Sequence, residues 1–147
     1  MASTGLNHMG LCVRDMGASL AFYRDVAGFE VRTPPFRMSG SWFDTLTRNQ
    51  GAAIEVAMLA LGGFTLQLVQ YHAAGGPPVA SGHHHPGNPH LCIDVDDVDA
   101  MHAAVVASGR HRPTPIVDIA STGARSFYVE DPDGTPVEFL QMPSANE

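Results

Sequence analysis

The sequence has no lysine: all eight of its basic residues are arginine. That excludes Schiff-base chemistry on a lysine side chain and a phosphate-binding loop of the Walker type. Cysteine is scarce too. Cys12 and Cys92 stand in separate strand-like stretches and no CxxC pair is present, which points to reduced thiols in a cytoplasmic protein. No apolar run approaches the ~20 residues that span a bilayer. The opening "MASTGLNH" lacks a basic segment leading into an apolar one, so no signal peptide is expected. With 15 acidic residues the formal net charge is −7, which disfavours nucleic acid and anionic membranes as partners. There is no Gly-x-Ser-x-Gly elbow. The chemistry left to the chain rests on histidine, carboxylate and amide groups.

What the sequence does contain is a repeat. "GLNHMGLCV" at 5–13 and "GNPHLCIDV" at 87–95 each place a histidine in a short apolar strand pattern. Aligning His8 with His90 gives an offset of 82 (90 − 8), which also superposes Asp15 on Asp97 and Met16 on Val98. Each aspartate reads as the N-cap of an amphipathic helix. The expected helices run from about Met16 to Ala27 and from about Val98 to Ala107, with Gly28 and Gly109 as their stops.

Three strand-like stretches follow each helix: "FEVRT", "AAIEVAMLA" and "FTLQLVQY", then "TPIVDIA", "ARSFYVE" and "TPVEFLQM". The turn "DPDG" marks the second hairpin. An offset of 71 applied to whole hairpins aligns Gln67 with Glu138 (138 − 67) and Glu55 with Ser126 (126 − 55). Each half therefore reads β-α-β-β-β. The fold class is α+β, two repeated modules forming a curved mixed sheet around a cleft, over a single domain spanning 1–147. Module one covers about 5–72, a Gly/Pro-rich linker about 73–88, and module two about 89–142.

Strand alternation decides which residues share a face. Leu11 and Val13 belong under a helix, which leaves His8 on the cleft face; the same reasoning turns His90, Gln67 and Glu138 inward. Two imidazoles, a carboxylate and an amide carbonyl make a reasonable donor set for Zn, Fe, Co, Ni or Mn. The alternative for each is an ordinary buried polar residue with a local partner.

At this point "NHMGLCVRDMGASLAFYRDVAGFEV" and "GARSFYVEDPDGTPVEFLQ" together resemble the vicinal oxygen chelate (glyoxalase/bleomycin resistance/extradiol dioxygenase) superfamily. The resemblance implies paired β-α-β-β-β modules and one divalent metal held at His8, Gln67, His90 and Glu138. The His-Gln-His-Glu set is most similar to that of methylmalonyl-CoA epimerase, and "AAIEVAML" resembles the strand that supplies that enzyme's glutamate base, here Glu55. A carboxylate between apolar neighbours would suit proton abstraction beside a carbonyl; the alternative is a Glu55 that pairs with a cation or faces solvent. The resemblance thus implies a small-molecule enzyme, isomerase/epimerase or lyase, and a homodimer. An Fe(II) extradiol-type dioxygenase using His8, His90 and Glu138 stands as the second reading, and a metal-free binding or resistance protein as a third. The acidic, lysine-free composition lacks the basic cluster that a CoA thioester would want. The stretch "TPPFRMSGSWFDTLTRNQ" reads as a loop whose aromatics cover a substrate or join the core, and His83, His84 and His85 read as an exposed linker.

Overall fold

Both aspartates cap helices, and a four-residue strand leads into each. The computed structural model describes residues 2–79 and 82–144, and the chain divides into two units, Met1–Pro78 and Val79–Glu147. The linker positions Ala80 and Ser81 lie outside the described residues.

The first unit runs β1 (Met9–Cys12), α1 (Met16–Asp25), β2 (Glu30–Ser39), α2 (Ser41–Thr47), β3 (Ala53–Leu61) and β4 (Phe64–Ala73). Its four strands form a mixed sheet in the order β1-β4-β3-β2, with β1 parallel to β4 and the other pairs antiparallel. The second unit repeats the plan with β5 (Leu91–Asp94), α3 (Val98–Ala107), β6 (Val117–Ile119), β7 (Ala124–Glu130) and β8 (Pro136–Gln141), in the order β5-β8-β7-β6. No helix among the described residues is long and apolar enough to cross a membrane.

The parallel pairing follows from the helix placed between its strands. A crossover of that length returns the chain beside β1 in the same direction, where a short turn could give only an antiparallel partner. Asp15 Oδ1 accepts from the Ala18 N–H at 2.8 Å, and Asp97 Oδ1 from the Ala100 N–H at 2.9 Å. A second acceptor reaches each helix start from the sheet. Gln70 Oε1 accepts from the Met16 N–H at 2.7 Å, and Gln141 Oε1 from the Val98 N–H at 2.9 Å. Two of the four orphan donors at each N-terminus are thus satisfied, and the helix is pinned to the strand beneath it. Gly28 and Gly109 reverse the chain after the helices with φ of +80° and +65°, where a Cβ would be strained. Helix α1 ends at Asp25, two residues short of the expected end.

In the first unit Leu59, Leu66 and Leu68 lie fully buried with Phe22 and Tyr23 of α1. In the second, Val98 and Val105 of α3 are buried with Phe127, Val137 and Phe139, and the two phenylalanine rings stack at 5.1 Å.

The expected loop after "FEVRT" is structured. Strand β2 continues to Ser39, and its register against β3 shifts between Val31 and Thr33 and again between Thr33 and Phe36. Pro34 and Pro35 fall in that irregular stretch of an edge strand, where a missing N–H is tolerated. The following α2 has no side-chain cap at Gly40. It is held by Phe43, which packs with Ala52, Ile54 and Val56 in a second apolar cluster flanked by Met38, Met58, Val69 and Tyr71. Of the loop's aromatics, Phe43 is therefore core, while Phe36 and Trp42 are exposed.

Candidate metal centre

The two parallel strand pairs carry the predicted donors at matching positions. Gly10 pairs with Gln67 across β1 and β4, and Cys92 pairs with Glu138 across β5 and β8. His8 and His90 each stand two residues before those partners, one residue ahead of β1 and β5. A Cβ at Gly10 would lie 3.5 Å from Gln67 Oε1, which places the amide beside β1.

The surroundings of the two acceptors differ. In the second unit Ser126 Oγ donates to Glu138 Oε1 at 2.6 Å and the Tyr128 hydroxyl donates to Oε2 at 2.8 Å. His90 Nε2 lies 3.9 Å from Oε2. Burial raises the Glu138 carboxyl, but the hydrogen bonds from Ser126 and Tyr128, with smaller help from the Cys92 thiol and His90, outweigh it and hold the group below its ordinary 4.5. Burial, then the Glu138 charge, push the Cys92 thiol up to about 11. Burial and the bond to Glu138 push Tyr128 up to about 12. The carboxylate is thus ionised, fixed at both oxygens, and faced by a neutral phenol and thiol.

The first unit offers no such donors. Opposite Gln67 stands Met58 in the place of Tyr128, with Gly10 in the place of Cys92. The Gln67 side chain makes no hydrogen bond among the described residues. His8 Nδ1 lies 2.7 Å from Asn7 Oδ1. One half of the repeat therefore suits a charged ligand and the other a neutral one.

The donor chemistry fits a divalent ion. Glu138 accepts from Ser126, Tyr128 and the Cys92 thiol, and a carboxylate has about four lone-pair sites, so acceptor capacity remains. His90 and Glu138 lie within the ~4.2 Å that two bonds of ~2.1 Å can span. Among the described residues no three His, Cys, Asp or Glu side chains group within one ion's reach; the structure shows the His90–Glu138 pair in the second unit.

Glu55 falls on the other face. The register pairs Met58 with Gln67 and Glu55 with Gln70, so Glu55 shares the side from which Gln70 caps α1. There it meets His72, Nε2 to Oε2 3.3 Å. The face assignment made from alignment fails because one offset does not serve both strands of a hairpin. Tyr128, not Val129, is the partner of Glu138, so β3 maps to β7 with an offset of 70 (128 − 58) while β4 maps to β8 with 71. Glu55 then corresponds to Arg125, another ion-pairing residue, which is hydrogen-bonded to Asp99 and Asp118. One residue of slip reverses a side chain.

His83 is exposed in a turn of the linker, as expected, yet it has ring neighbours in the second unit. Its ring lies 5.1 Å from that of His90 and meets Tyr128 edge-on at 5.3 Å. His84 and His85 pack on each other at 4.3 Å. Beside Tyr128, a pocket of about 550 Å³ is lined by His83, Arg112, Thr114, Glu130 and Pro136 among others.

Sequence reading missed Ser126 and Tyr128 as partners of Glu138, and Gln70 and Gln141 as helix anchors. The second pair carries a signal, "QLVQ" and "EFLQ", an acceptor repeated three residues after each candidate ligand. The first needs the hairpin register.

Two β-α-β-β-β units, each with a short first strand parallel to its last, define a paired-module fold. The chain belongs to the glyoxalase/bleomycin resistance protein/dioxygenase superfamily, which it matches over residues 5–139. It is 30% identical over 139 residues to YwbC of Bacillus subtilis, covering 92% of this chain and 96% of that one. It is 26% identical over 141 residues to lactoylglutathione lyase of Haemophilus influenzae, covering 93% and 92%. Among solved structures, the fosfomycin resistance protein FosX of Listeria monocytogenes, complexed with Mn(II) and sulfate, shares the fold with a TM-score of 0.64 at 16% identity, covering 97% and 96%.

Proposed function

We propose that this protein is a divalent-metal-dependent enzyme that polarises a small carbonyl substrate for proton transfer, as an isomerase, epimerase or lyase. One ion, Zn, Co, Ni, Mn or Fe, would be held by His8, Gln67, His90 and Glu138. The observation that carries this reading is the state of Glu138: ionised, oriented at both oxygens, and beside an imidazole at 3.9 Å. Metal-ligating carboxylates are held by hydrogen bonds of this kind, which supports the reading. The lactoylglutathione lyase among the relatives supports the lyase form of the reaction, and the Mn(II) in FosX supports a metal on this fold. A cytoplasmic homodimer acting on a small molecule belongs to the same reading.

When bound, the ion would supply a Lewis acid for the substrate's oxygens. The rest falls to the chain. Ser126 and Tyr128 keep the carboxylate from rotating. Val56, Met58 and Val69 make Gln67's face apolar and offer its amide no competing partner. Proton transfer is assigned to the Glu138 face, where Oε2 holds the Tyr128 hydroxyl at 2.8 Å, and not to Glu55.

The test begins with metal analysis of protein purified without added metal. His8→Ala, His90→Ala and Glu138→Ala should each lose metal while circular dichroism reports a folded chain. Wild-type protein should exchange a substrate α-hydrogen with deuterated water under nitrogen. Stoichiometric metal surviving any two of these changes would overturn the ligand assignment. Iron with strictly oxygen-dependent turnover would transfer the case to the ring-cleaving dioxygenase.

A further inference from the structure

We infer that the pocket beside Tyr128 binds a small monocarboxylate, with Arg112 and Thr114 holding the carboxylate and the apolar body lying against Tyr128 and Pro136. The inference deepens the reading above by giving its substrate a chemical class. It starts from an arginine without a partner. Arg112 lines the 550 Å³ pocket, and its guanidinium has no ion pair or hydrogen bond among the described residues. Arg112 is exposed, and Arg37 and Arg48 also make no ion pair among the described residues; what sets Arg112 apart is its place in a pocket wall, where a planar guanidinium can meet a ligand carboxylate.

A second donor stands two residues away. The Thr114 N–H donates to the Tyr128 carbonyl at 2.8 Å, which continues the sheet edge past β7. Thr114 Oγ1 accepts from the Tyr128 N–H at 2.9 Å. Its own O–H has no acceptor among the described residues and is available to a ligand oxygen. The Tyr128 hydroxyl, by contrast, is committed to Glu138. It contributes its ring to the pocket, and through its hydroxyl it ties the pocket wall to the Glu138 carboxylate.

The rest of the lining limits the ligand's charge. Glu130 stands in the same wall, and Glu138 lies behind Tyr128. A second negative charge on the ligand would meet these carboxylates with no further arginine to offset it. One carboxylate on an aryl or branched alkyl body is the class that fits, and the volume falls within the range of small-ligand sites.

The test uses the full chain stripped with chelator and titrated with 2-phenylpropanoate, its amide, and phenylmalonate, followed by amide NMR shifts and calorimetry. The acid should bind with its shifts centred on Thr114 and the 128–130 strand. The amide and the dicarboxylate should bind about tenfold or more weakly, the worth of one charge-assisted contact. Arg112→Gln should bring the acid down to the amide's affinity and leave the amide unchanged, and Arg112→Lys should restore part of the difference. Equal affinity for acid and amide, wild-type affinity in Arg112→Gln, or shifts lying away from Thr114 and Tyr128 would each overturn the inference. The titration contains no metal and Arg112→Gln should keep wild-type metal content, so failure here leaves the metal reading untouched. Loss of the metal reading leaves this binding result equally intact.

Discussion

Gln67→Glu tests whether the two halves of the repeat have become a charged and a neutral ligand position. At Glu138 the carboxylate receives two hydroxyl donors, at 2.6 and 2.8 Å. At Gln67 the matching neighbours are Met58 and Gly10, which donate nothing. Hydrogen bonds to a charged group contribute roughly 1.5–3 kcal/mol each, so a carboxylate at 67 forgoes about 3–6 kcal/mol of the support its counterpart enjoys. Gln67 is half-buried, and water reaching the side chain offsets most of that. The expected net loss is about 1–2 kcal/mol for metal-free protein, or a fall in Tm of roughly 2–8 °C for a chain of this size. Adding Mn(II) or Zn(II) should reverse the order, because the ion supplies the positive partner that the apolar face withholds; the metal-induced rise in Tm should exceed that of wild type. Gln67→Met is the control. It removes no hydrogen bond, so its metal-free Tm should stay within about 1 kcal/mol of wild type, and its response to metal should shrink. The assay is thermal unfolding in chelator and in saturating metal. If metal-free Gln67→Glu melts with wild type, or if metal raises all three proteins equally, the asymmetry has no energetic content and the reasoning fails.

Ser126→Ala and Tyr128→Phe should each keep every proposed ligand yet weaken metal binding by roughly 10–100-fold, measured by competition with a chelating dye, since they free Glu138 to rotate. Glu55→Gln should leave metal content and turnover within about twofold of wild type and lower stability by at most ~1 kcal/mol, because its contact is an exposed pair with His72; a drop in turnover of a hundredfold would return Glu55 to the mechanism. Gln141→Ala should destabilise the second unit by about 1–2 kcal/mol in urea unfolding, through loss of the acceptor for the Val98 N–H; an unchanged midpoint would show that water replaces it.

Alternation and punctuation made most of this fold legible. Short strands ending in Asp15 and Asp97 announce their helices, glycines at 28 and 109 close them, and "DPDG" fixes a turn in which Asp131 Oδ1 accepts from the N–H groups of Asp133 and Thr135, each at 2.8 Å. Helix α2 was not legible because nothing local specifies it. Its seven residues follow an uncapped glycine and depend on Phe43 reaching a cluster built from distant strands. The faces of Gln67 and Glu138 could be read because β4 and β8 each have one plainly apolar side. Strand β3 has two: Ile54 and Val56 are buried toward one cluster, Ala57 and Leu59 toward the other. With no polar side to orient it, the face of Glu55 is settled only by its register with β4.

The parallel pairing of β1 with β4 bears on how the protein folds. Hairpin β3–β4 closes over two residues, whereas His8 and Gln67 are separated by 59 positions (67 − 8), and His90 and Glu138 by 48 (138 − 90). Loop-closure entropy makes such contacts slow to form and gives them little reward until the intervening helix is in place. In each unit, then, the short first strand docks late, and it is the strand that brings a histidine. An ion bridging His8 to Gln67 would clip the least local junction of the unit. Metal supplied during refolding should act on the last step of assembly, leaving the collapse of hairpin and helix unchanged in rate.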